Sequence, residues 1–417
     1  MSSPQPAPQP APEPAFGPLA LLGADPYPVY TAMRRGRRQL KFGPFEVCVL
    51  SRYDDVLSAF KRPEIFSSLA FREGRPEALR MRGASPEQIE ALQAVMLSGV
   101  PTVINTDPPE HARYRGILNR GFTPREIGRI EGRIREITAR LVDELLAQDG
   151  PADLVRELTV PLPVTVIAEL LGVDPARHAD FKRWSDAFVS QLGRPERLDS
   201  TIAAMREFNA YFAAEIERRR SEPGEDLVSR LVHAETSEGR LSALELLAFC
   251  RLLLVAGNET TTNLIGNAVI ALLENPEQLE RLRAEPELID NAVEEALRFD
   301  SPVQGLPRLA AKEVEVGDEK VSAGTRVMLL IGSANRDPER WPEPDRFDVA
   351  RDTTGHLGFG FGIHFCLGSH LARLESRCAL EAIVGRLANL RFAGEVKRNA
   401  HPILRGPASL PVAFAPA

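Results

Sequence analysis

Residues 359–368 read FGFGIHFCLG, and the stretch that follows, SHLARLESRCALEAIVGRL, carries apolar residues at helical spacing. Cys366 is therefore expected just before a helix N-terminus, where free backbone N–H groups favour the thiolate that binds metal ions. Gly360 and Gly362 would let the loop pass close under a flat ligand, and Gly368 removes a side chain near the same plane. On local grounds, Cys366 is equally well a small buried hydrophobic residue near a turn.

The ten residues resemble the haem-binding signature of the cytochrome P450 family, Phe-Gly-x-Gly-x-His-x-Cys-x-Gly, at every defined position. The resemblance implies that Cys366 is the axial ligand of the iron in haem b (iron protoporphyrin IX). It places Phe359, Gly360 and Gly368 in the haem-binding loop and His364 near a haem propionate. It also implies a mainly α fold with a small β portion, the triangular helical prism of soluble bacterial members. The haem would lie between the helix at 241–274 and the helix after Cys366.

A long helix is predicted over ELLAFCRLLLVAGNETTTNLIGNAVIALLE (245–274), and it should cross the core because its centre is apolar on nearly every side. An acid and three threonines are unexpected there, which makes them functional candidates. Thr260 can hydrogen-bond to the carbonyl of Ala256 and locally open a groove, and Gly257 would let a ligand approach. The segment resembles the family's oxygen-binding segment, which implies that Glu259 and Thr260 deliver protons to dioxygen. The alternative is that the threonines only pack.

Glu295 and Arg298 are three residues apart in EEALRF, so they share a helix face. By itself this spacing is typical of a solvated surface pair. Here it resembles the family's Glu-x-x-Arg motif, because the later segments follow in the family's order. On this resemblance, Arg346 in PDRF completes a structural triad that serves folding and haem retention.

His111 and Arg115 are four residues apart behind the prolines of DPPEHARYR, so both side chains can point one way. An imidazole beside a guanidinium suits a carboxylate, although each residue taken alone is more typical of a surface position. The pair is similar to the family's haem-propionate pair, and Arg308 matches another propionate-binding arginine.

The composition of the 417 residues, 43% hydrophobic and 26% charged, is that of a globular protein. We expect one domain over residues 16–417 after a disordered Pro/Ala-rich arm at 1–15. The four cysteines show no disulfide or zinc spacing, which favours a reducing, cytoplasmic location. The apolar run from Leu246 to Gly257 contains Arg251 and is too short to span a membrane.

The net charge of −7 and the absence of interleaved aromatic residues in the basic cluster at 33–41 argue against nucleic-acid binding. A second helix is predicted over 127–148. Strands are predicted at 45–51 and within 313–334, with a hairpin turn at 317–320, while 341–368 is too rich in proline and glycine for regular structure.

The resemblance implies that the protein inserts one atom of dioxygen into a small apolar substrate. Without a membrane anchor or a fused flavin or iron–sulfur domain, a monomer would take electrons from a ferredoxin and its reductase, and so indirectly from NAD(P)H. Arg113, Arg120 and Arg373 are a hypothetical docking face.

The substrate pocket is expected to draw on 66–104 and 180–192 and on a set of apolar residues: Val255, Ala256, Val303, Leu306 and Leu404. Its chemistry permits terpenoids, fatty acids, macrolides or aromatic compounds. Three other functions stay open. A gas sensor or electron carrier would not need Glu259 and Thr260, and an idle binding protein would not need Cys366. A peroxygenase would work with peroxide and without ferredoxin.

Overall fold

Helices make up most of the chain and small sheets lie beside them, which confirms the predicted fold class. The computed structural model describes residues 25–36, 39–42, 45–71, 83–97, 99–148, 150–189, 198–234, 239–317, 319–399, 401 and 403–416. The predicted arm at 1–15 lies outside them. No described helix is long and apolar enough to cross a membrane.

The α-helices, in chain order, are α1 Tyr27–Arg35, α2 Tyr53–Phe60, α3 Pro86–Val95, α4 Glu110–Asn119, α5 Pro124–Arg129, α6 Glu131–Leu146, α7 Pro161–Leu170, α8 His178–Val189, α9 Leu198–Ser221, α10 Leu227–Val232, α11 Ala243–Glu274, α12 Pro276–Ala284, α13 Ile289–Phe299, α14 Ile331–Ala334 and α15 Ser369–Arg386. Tighter 3₁₀ turns occur at Ser68–Phe71, Pro175–Arg177, Pro286–Leu288 and Gly362–His364, and a π turn occurs at Val155–Thr159.

The strands are β1 Gln39–Phe42, β2 Phe45–Leu50, β3 Phe66–Ser67, β4 Ala152–Asp153, β5 Leu306–Ala310, β6 Val314–Val316, β7 Glu319–Val321, β8 Arg326–Leu329, β9 Leu387–Phe392, β10 Lys397–Arg398, β11 Pro407–Ser409 and β12 Pro411–Pro416. The largest sheet has the order β1-β2-β8-β5-β3, with β2 and β8 parallel and the other pairs antiparallel. The smaller sheets are β4-β12-β9, β10-β11 and β6-β7.

The long helix α11 crosses the core as predicted, and α7, α13 and α15 pack against it. A capping box starts α11: the Ser242 hydroxyl accepts from the Glu245 N–H at 3.2 Å, and the Glu245 carboxylate accepts from the Ser242 N–H at 2.7 Å. The helix ends at Glu274, because Pro276 cannot continue it and begins α12 instead. α11 and α15 therefore lie against each other, and Thr261 of α11 hydrogen-bonds to Glu375 of α15.

Two predicted elements differ in the structure. The helix expected over 127–148 is broken at Ile130 into α5 and α6, between two glycines of low helix propensity. The strand expected to reach 334 ends at Leu329 and gives way to the helical turn α14, whose Gly, Ser and Ala residues have low strand propensity. The hairpin of β6 and β7 is confirmed, with Val314 opposite Val321.

Candidate active site

The loop before α15 is shaped by two glycines and one backbone hydrogen bond. Gly360 and Gly362 have φ angles of 70° and 71°, in the left-handed region that glycine adopts readily. A Cβ atom on Gly362 would stand 2.8 Å from the main-chain oxygen of Phe60, so no larger residue fits there. The Cys366 N–H donates to the Phe359 oxygen at 2.9 Å, which closes the loop one turn before α15. A Cβ on Gly368 would meet no heavy atom within 4 Å, so that position borders open space.

The electrostatic environment of Cys366 differs from the prediction. Burial raises the pKa of its thiol above the usual value, although a backbone hydrogen bond at Gly368 and the charges of Arg115 and Arg373 lower it. The helix N-terminus alone therefore does not hold Cys366 as a thiolate, because the loss of hydration outweighs the donors around it. A metal cation on the sulfur would reverse this balance, since a coordinating thiol loses its proton.

Imidazole and guanidinium groups gather beside this loop. The rings of His111 and His364 stand 4.4 Å apart, and His364 Nε2 lies 2.9 Å from the Ser68 hydroxyl. Burial lowers the pKa of His364 to about 3, with the nearby Arg308, His111 and Arg115 adding to the effect. Burial also lowers the pKa of Arg308 to about 10. Burial is the main cause of both shifts, and only that of His364 has a further contribution from nearby cations. Buried basic side chains of this kind favour the binding of anions.

Two details test whether the cluster fits the acidic edge of a haem. His111 is buried, and its Nε2 atom has no hydrogen-bond partner among the described residues. Arg115 donates to the main-chain oxygen of Phe365 at 2.7 Å, directly beside Cys366. A thiol, a ring nitrogen without a partner and two arginines are thus present around this loop. They are the kinds of group that bind a haem iron and its propionates, so the donor set fits the group.

The acid–alcohol segment lies in the middle of α11. Thr260 donates to the Ala256 oxygen at 2.8 Å, as predicted, although the helix stays α-helical through this bond. Ala256 is exposed within a core helix, so an open space borders this face. Glu259 is buried, and burial raises its pKa to about 7. A Cβ on Gly257 would lie 3.5 Å from the Ile167 side chain of α7, and the approach of a ligand to Gly257 stays a prediction.

The buried ion pair on α13 is present, but its third member differs from the prediction. Glu295 and Arg298 have fully buried side chains and form two hydrogen bonds, of 2.7 and 2.8 Å. The Arg346 side chain is 56% exposed and pairs with Glu343 at 3.2 Å. Arg351 instead brings Nε to 3.2 Å from Glu295 Oε1 and is only 11% exposed. The prediction of Arg346 is therefore wrong, since the loop path turns Arg346 outward and Arg351 inward.

The predicted pocket residues Val255, Val303, Leu306 and Leu404 are all partly buried. The structure brings Val303 and Leu404 together in an isolated antiparallel bridge. Within the segments 66–104 and 180–192 that the sequence predicts to line the pocket, residues 72–82, 98 and 190–192 lie outside the described residues.

Glu375 was missed by the sequence analysis. It is buried on α15, burial raises its pKa to about 8, and Thr261 of α11 hydrogen-bonds to it. Its Oε2 atom has no partner among the described residues. The sequence does contain an indication that Glu375 is buried, because it lies between Leu371 and Cys378 on the apolar face of the predicted helix.

Residues 77–392 match the family model described as Cytochrome P450. The chain is 41% identical to the Vitamin D(3) 25-hydroxylase of Pseudonocardia autotrophica, over 94% of each protein. It is 39% identical to the cytochrome P450 monooxygenase PikC of Streptomyces venezuelae, over 93% of this chain and 91% of PikC. Among solved structures, CYP109Q5 from Chondromyces apiculatus matches with a TM-score of 0.84 and 40% identity, over 96% of this chain and 98% of that one.

Proposed function

The chain belongs to the cytochrome P450 family of haem- and dioxygen-using monooxygenases, and on that premise we propose that it oxidises a small apolar organic substrate with electrons from a ferredoxin and its reductase. The observation that carries the proposal is the gathering of imidazole and guanidinium groups beside the Cys366 loop, where the His111 and His364 rings stand 4.4 Å apart and Arg115 donates to the Phe365 oxygen. The relative named as a vitamin D(3) hydroxylase supports an apolar substrate.

In this proposal Cys366 holds the iron, and His111, Arg115, Arg308 and His364 hold the propionates. When bound, the haem supplies the site at which dioxygen is activated. The burial of His364 and Arg308 supports the assignment, because burial disfavours their charged forms and two carboxylates would stabilise them. NAD(P)H would supply the electrons only indirectly, through the reductase.

Glu259 and Thr260 would move protons into the site. With a pKa of about 7, Glu259 is partly protonated at neutral pH and can both release and regain a proton. Because the Thr260 hydroxyl donates to the Ala256 oxygen, its own oxygen is left to accept a hydrogen bond from water. The two groups could thus order water beside the open face of α11.

The surface around the Cys366 loop is proposed as the ferredoxin docking site. Arg113 and Arg373 are poor candidates, because they pair with Glu245 at 3.0 Å and Glu294 at 2.6 Å. Arg120 is exposed at the end of α4 and stays in the proposal.

Phe361 and Phe365 in the loop are 40% and 38% exposed, and the Lys61 ammonium lies 5.7 Å from the Phe361 ring. Exposed aromatic rings beside a cation suit an acidic protein partner. Lys61→Glu should slow reduction by ferredoxin and leave reduction by dithionite unchanged. Equal ferredoxin kinetics in both proteins would refute this docking site.

The absorption spectrum of the protein, reduced with dithionite and exposed to carbon monoxide, tests the central claim. A Soret band strongly red-shifted from that of histidine-ligated haem is expected. Cys366→Ala should abolish that band, whereas Cys378→Ala, a matched loss of a buried thiol on α15, should retain it. A histidine-type band in the folded protein would refute the proposal. Sustained turnover with peroxide and none with ferredoxin would instead indicate a peroxygenase.

Single-domain organisation, the monomeric state and a cytoplasmic location stay predictions.

A further inference from the structure

Glu294 of α13 joins α15 to the loop that precedes Cys366. Its carboxylate accepts from Arg373 Nε at 2.6 Å and from Arg373 Nη2 at 2.8 Å, which is the bidentate geometry of a strong arginine–carboxylate pair. His356 Nε2 lies 2.9 Å from Glu294 Oε2. Because the Gly358 N–H donates to His356 Nδ1 at 3.1 Å, the ring proton is assigned to Nε2, and His356 donates to Glu294. Glu294 is thus held from two sides.

The Glu294–Arg373 pair stands next to the proposed iron ligand. The central carbon of the Arg373 guanidinium lies 4.5 Å from the centre of the Phe359 ring, and the Phe359 main-chain oxygen accepts from the Cys366 N–H at 2.9 Å. The pKa of Arg373 is raised, mainly by its hydrogen bond to Glu294 and further by the charge of Cys366. The positive charge of Arg373 therefore acts on Cys366, and the carboxylate of Glu294 offsets part of it.

Both charges of the pair are present at neutral pH. Burial by itself would raise the pKa of Glu294, but the hydrogen bonds from Arg373 and His356 outweigh burial and hold this pKa at about 2. The side chains of Glu294 and Arg373 are 22% and 34% exposed, so water screens them only in part. Removing one of the two charges should therefore change the electrostatic potential at the sulfur of Cys366.

We propose that Glu294 is a positioning residue for electron transfer: it holds Arg373 over Phe359 beside Cys366 and, by offsetting the charge of Arg373, sets the reduction potential of the haem iron. The proposal rests on the haem-thiolate function proposed above, since it needs Cys366 as the iron ligand. One electron from ferredoxin adds one negative charge at the iron. An unpaired cation nearby thus favours the reduced form, and an unpaired carboxylate favours the oxidised form.

The test measures the midpoint potential of the holoprotein by titration with dithionite in the presence of mediator dyes. Glu294→Gln keeps the shape of the side chain and removes its charge, so the equilibrium constant for one-electron reduction should rise about threefold or more. Arg373→Met leaves the Glu294 carboxylate without its cation, and the constant should fall about threefold or more. The variant with both changes has neither charge, and its constant should return to within about twofold of the wild-type value.

Glu381→Gln is the matched control, because it removes the same charge from the far part of α15, where Glu381 pairs with Arg135. Glu381 lies about 18 Å along the helix axis from the start of α15, and salt screens partly exposed charges over such a distance. Its reduction potential should equal that of the wild-type protein.

The competing role for Glu294 is only to tie α13 to α15. In that case Glu294→Gln and Arg373→Met would lower the unfolding midpoint or release haem faster, and their potentials would stay unchanged or shift in the same direction. Either pattern of potentials would overturn the proposal. Failure of Glu294→Gln to retain haem would also overturn it, because the role of Glu294 would then be structural.

The carbon monoxide spectrum separates this failure from failure of the proposed function. A thiolate-type spectrum with unmoved potentials overturns only the role of Glu294. A histidine-type spectrum overturns the proposed function, and the role of Glu294 falls with it.

Discussion

Replacing Arg351 with methionine tests the corrected triad. Arg351 donates to the fully buried Glu295 at 3.2 Å and to the main-chain oxygens of Pro342, Glu343 and Arg346 at 2.7, 3.1 and 3.0 Å. Removing one partner of a buried ion pair typically lowers the free energy of unfolding by about 3–5 kcal/mol. Arg298 still makes two hydrogen bonds to Glu295 in this variant, so we expect a loss near the lower end of that range, about 3 kcal/mol.

Arg346→Met is the matched control, because it removes the same charge five residues earlier. The Arg346 side chain is half exposed, and its contacts to Glu343 and Asp348 are 3.2 and 3.4 Å long. Such surface pairs contribute about 0–1 kcal/mol, so the loss should stay below about 1 kcal/mol. The main-chain oxygen of Arg346, which accepts from Arg298 and Arg351, is retained in this variant.

Urea unfolding followed by tryptophan fluorescence measures both losses. Trp341 is buried, and the Arg298 guanidinium lies 5.7 Å from its ring, so its emission reports on the loop that the triad holds. The free-energy difference follows from the shift of the midpoint at constant slope. A loss in Arg346→Met equal to that in Arg351→Met would refute the assignment of Arg351 to the triad. Small losses in both variants would mean that Glu295 needs only Arg298.

Three further changes probe the buried charges of the site. The pKa of Glu375 is raised from 4.5 to about 8, so between about pH 4.5 and 8 this carboxyl is protonated in the folded protein and ionised in the unfolded chain, and the free energy of unfolding should fall as the pH rises. Glu375→Gln should remove up to about 1.4 kcal/mol per pH unit of this decrease, measured from urea midpoints, and an unchanged pH dependence would contradict the assignment. Glu259→Gln should slow product formation about tenfold or more with an unchanged carbon monoxide spectrum, and wild-type turnover should fall as pH rises through about 7, where Glu259 loses its proton. Arg308→Met should speed haem transfer to an apo-globin acceptor about tenfold or more, whereas an unaltered transfer rate would exclude Arg308 as a propionate partner.

Much of the fold and site could be predicted because the signals are local. The capping box of Ser242 and Glu245 lies within one helical turn, as does the bond from Thr260 to Ala256. The left-handed glycines of the Cys366 loop are likewise a property of a few adjacent residues. Such patterns fix helix starts, turns and the placement of a ligand-binding loop without reference to the rest of the chain.

Predictions failed where residues distant in sequence meet. Arg346 and Arg351 lie in the same irregular segment, and only the path of that segment decides which one reaches Glu295. The pKa of the Cys366 thiol is raised, against expectation, because burial by the whole fold outweighs the local N–H donors.

The sequence by itself determined the family, the helix-rich fold, the cysteine loop and the acid–alcohol pair, because each depends on a short run of adjacent residues and on the backbone preferences of those residues. Only the tertiary structure decided which arginine completes the buried triad, that Glu375 is shut away from water, and that Glu294 pairs with Arg373. Burial and pairing depend on which surfaces pack together, and a single position in a sequence does not carry that information.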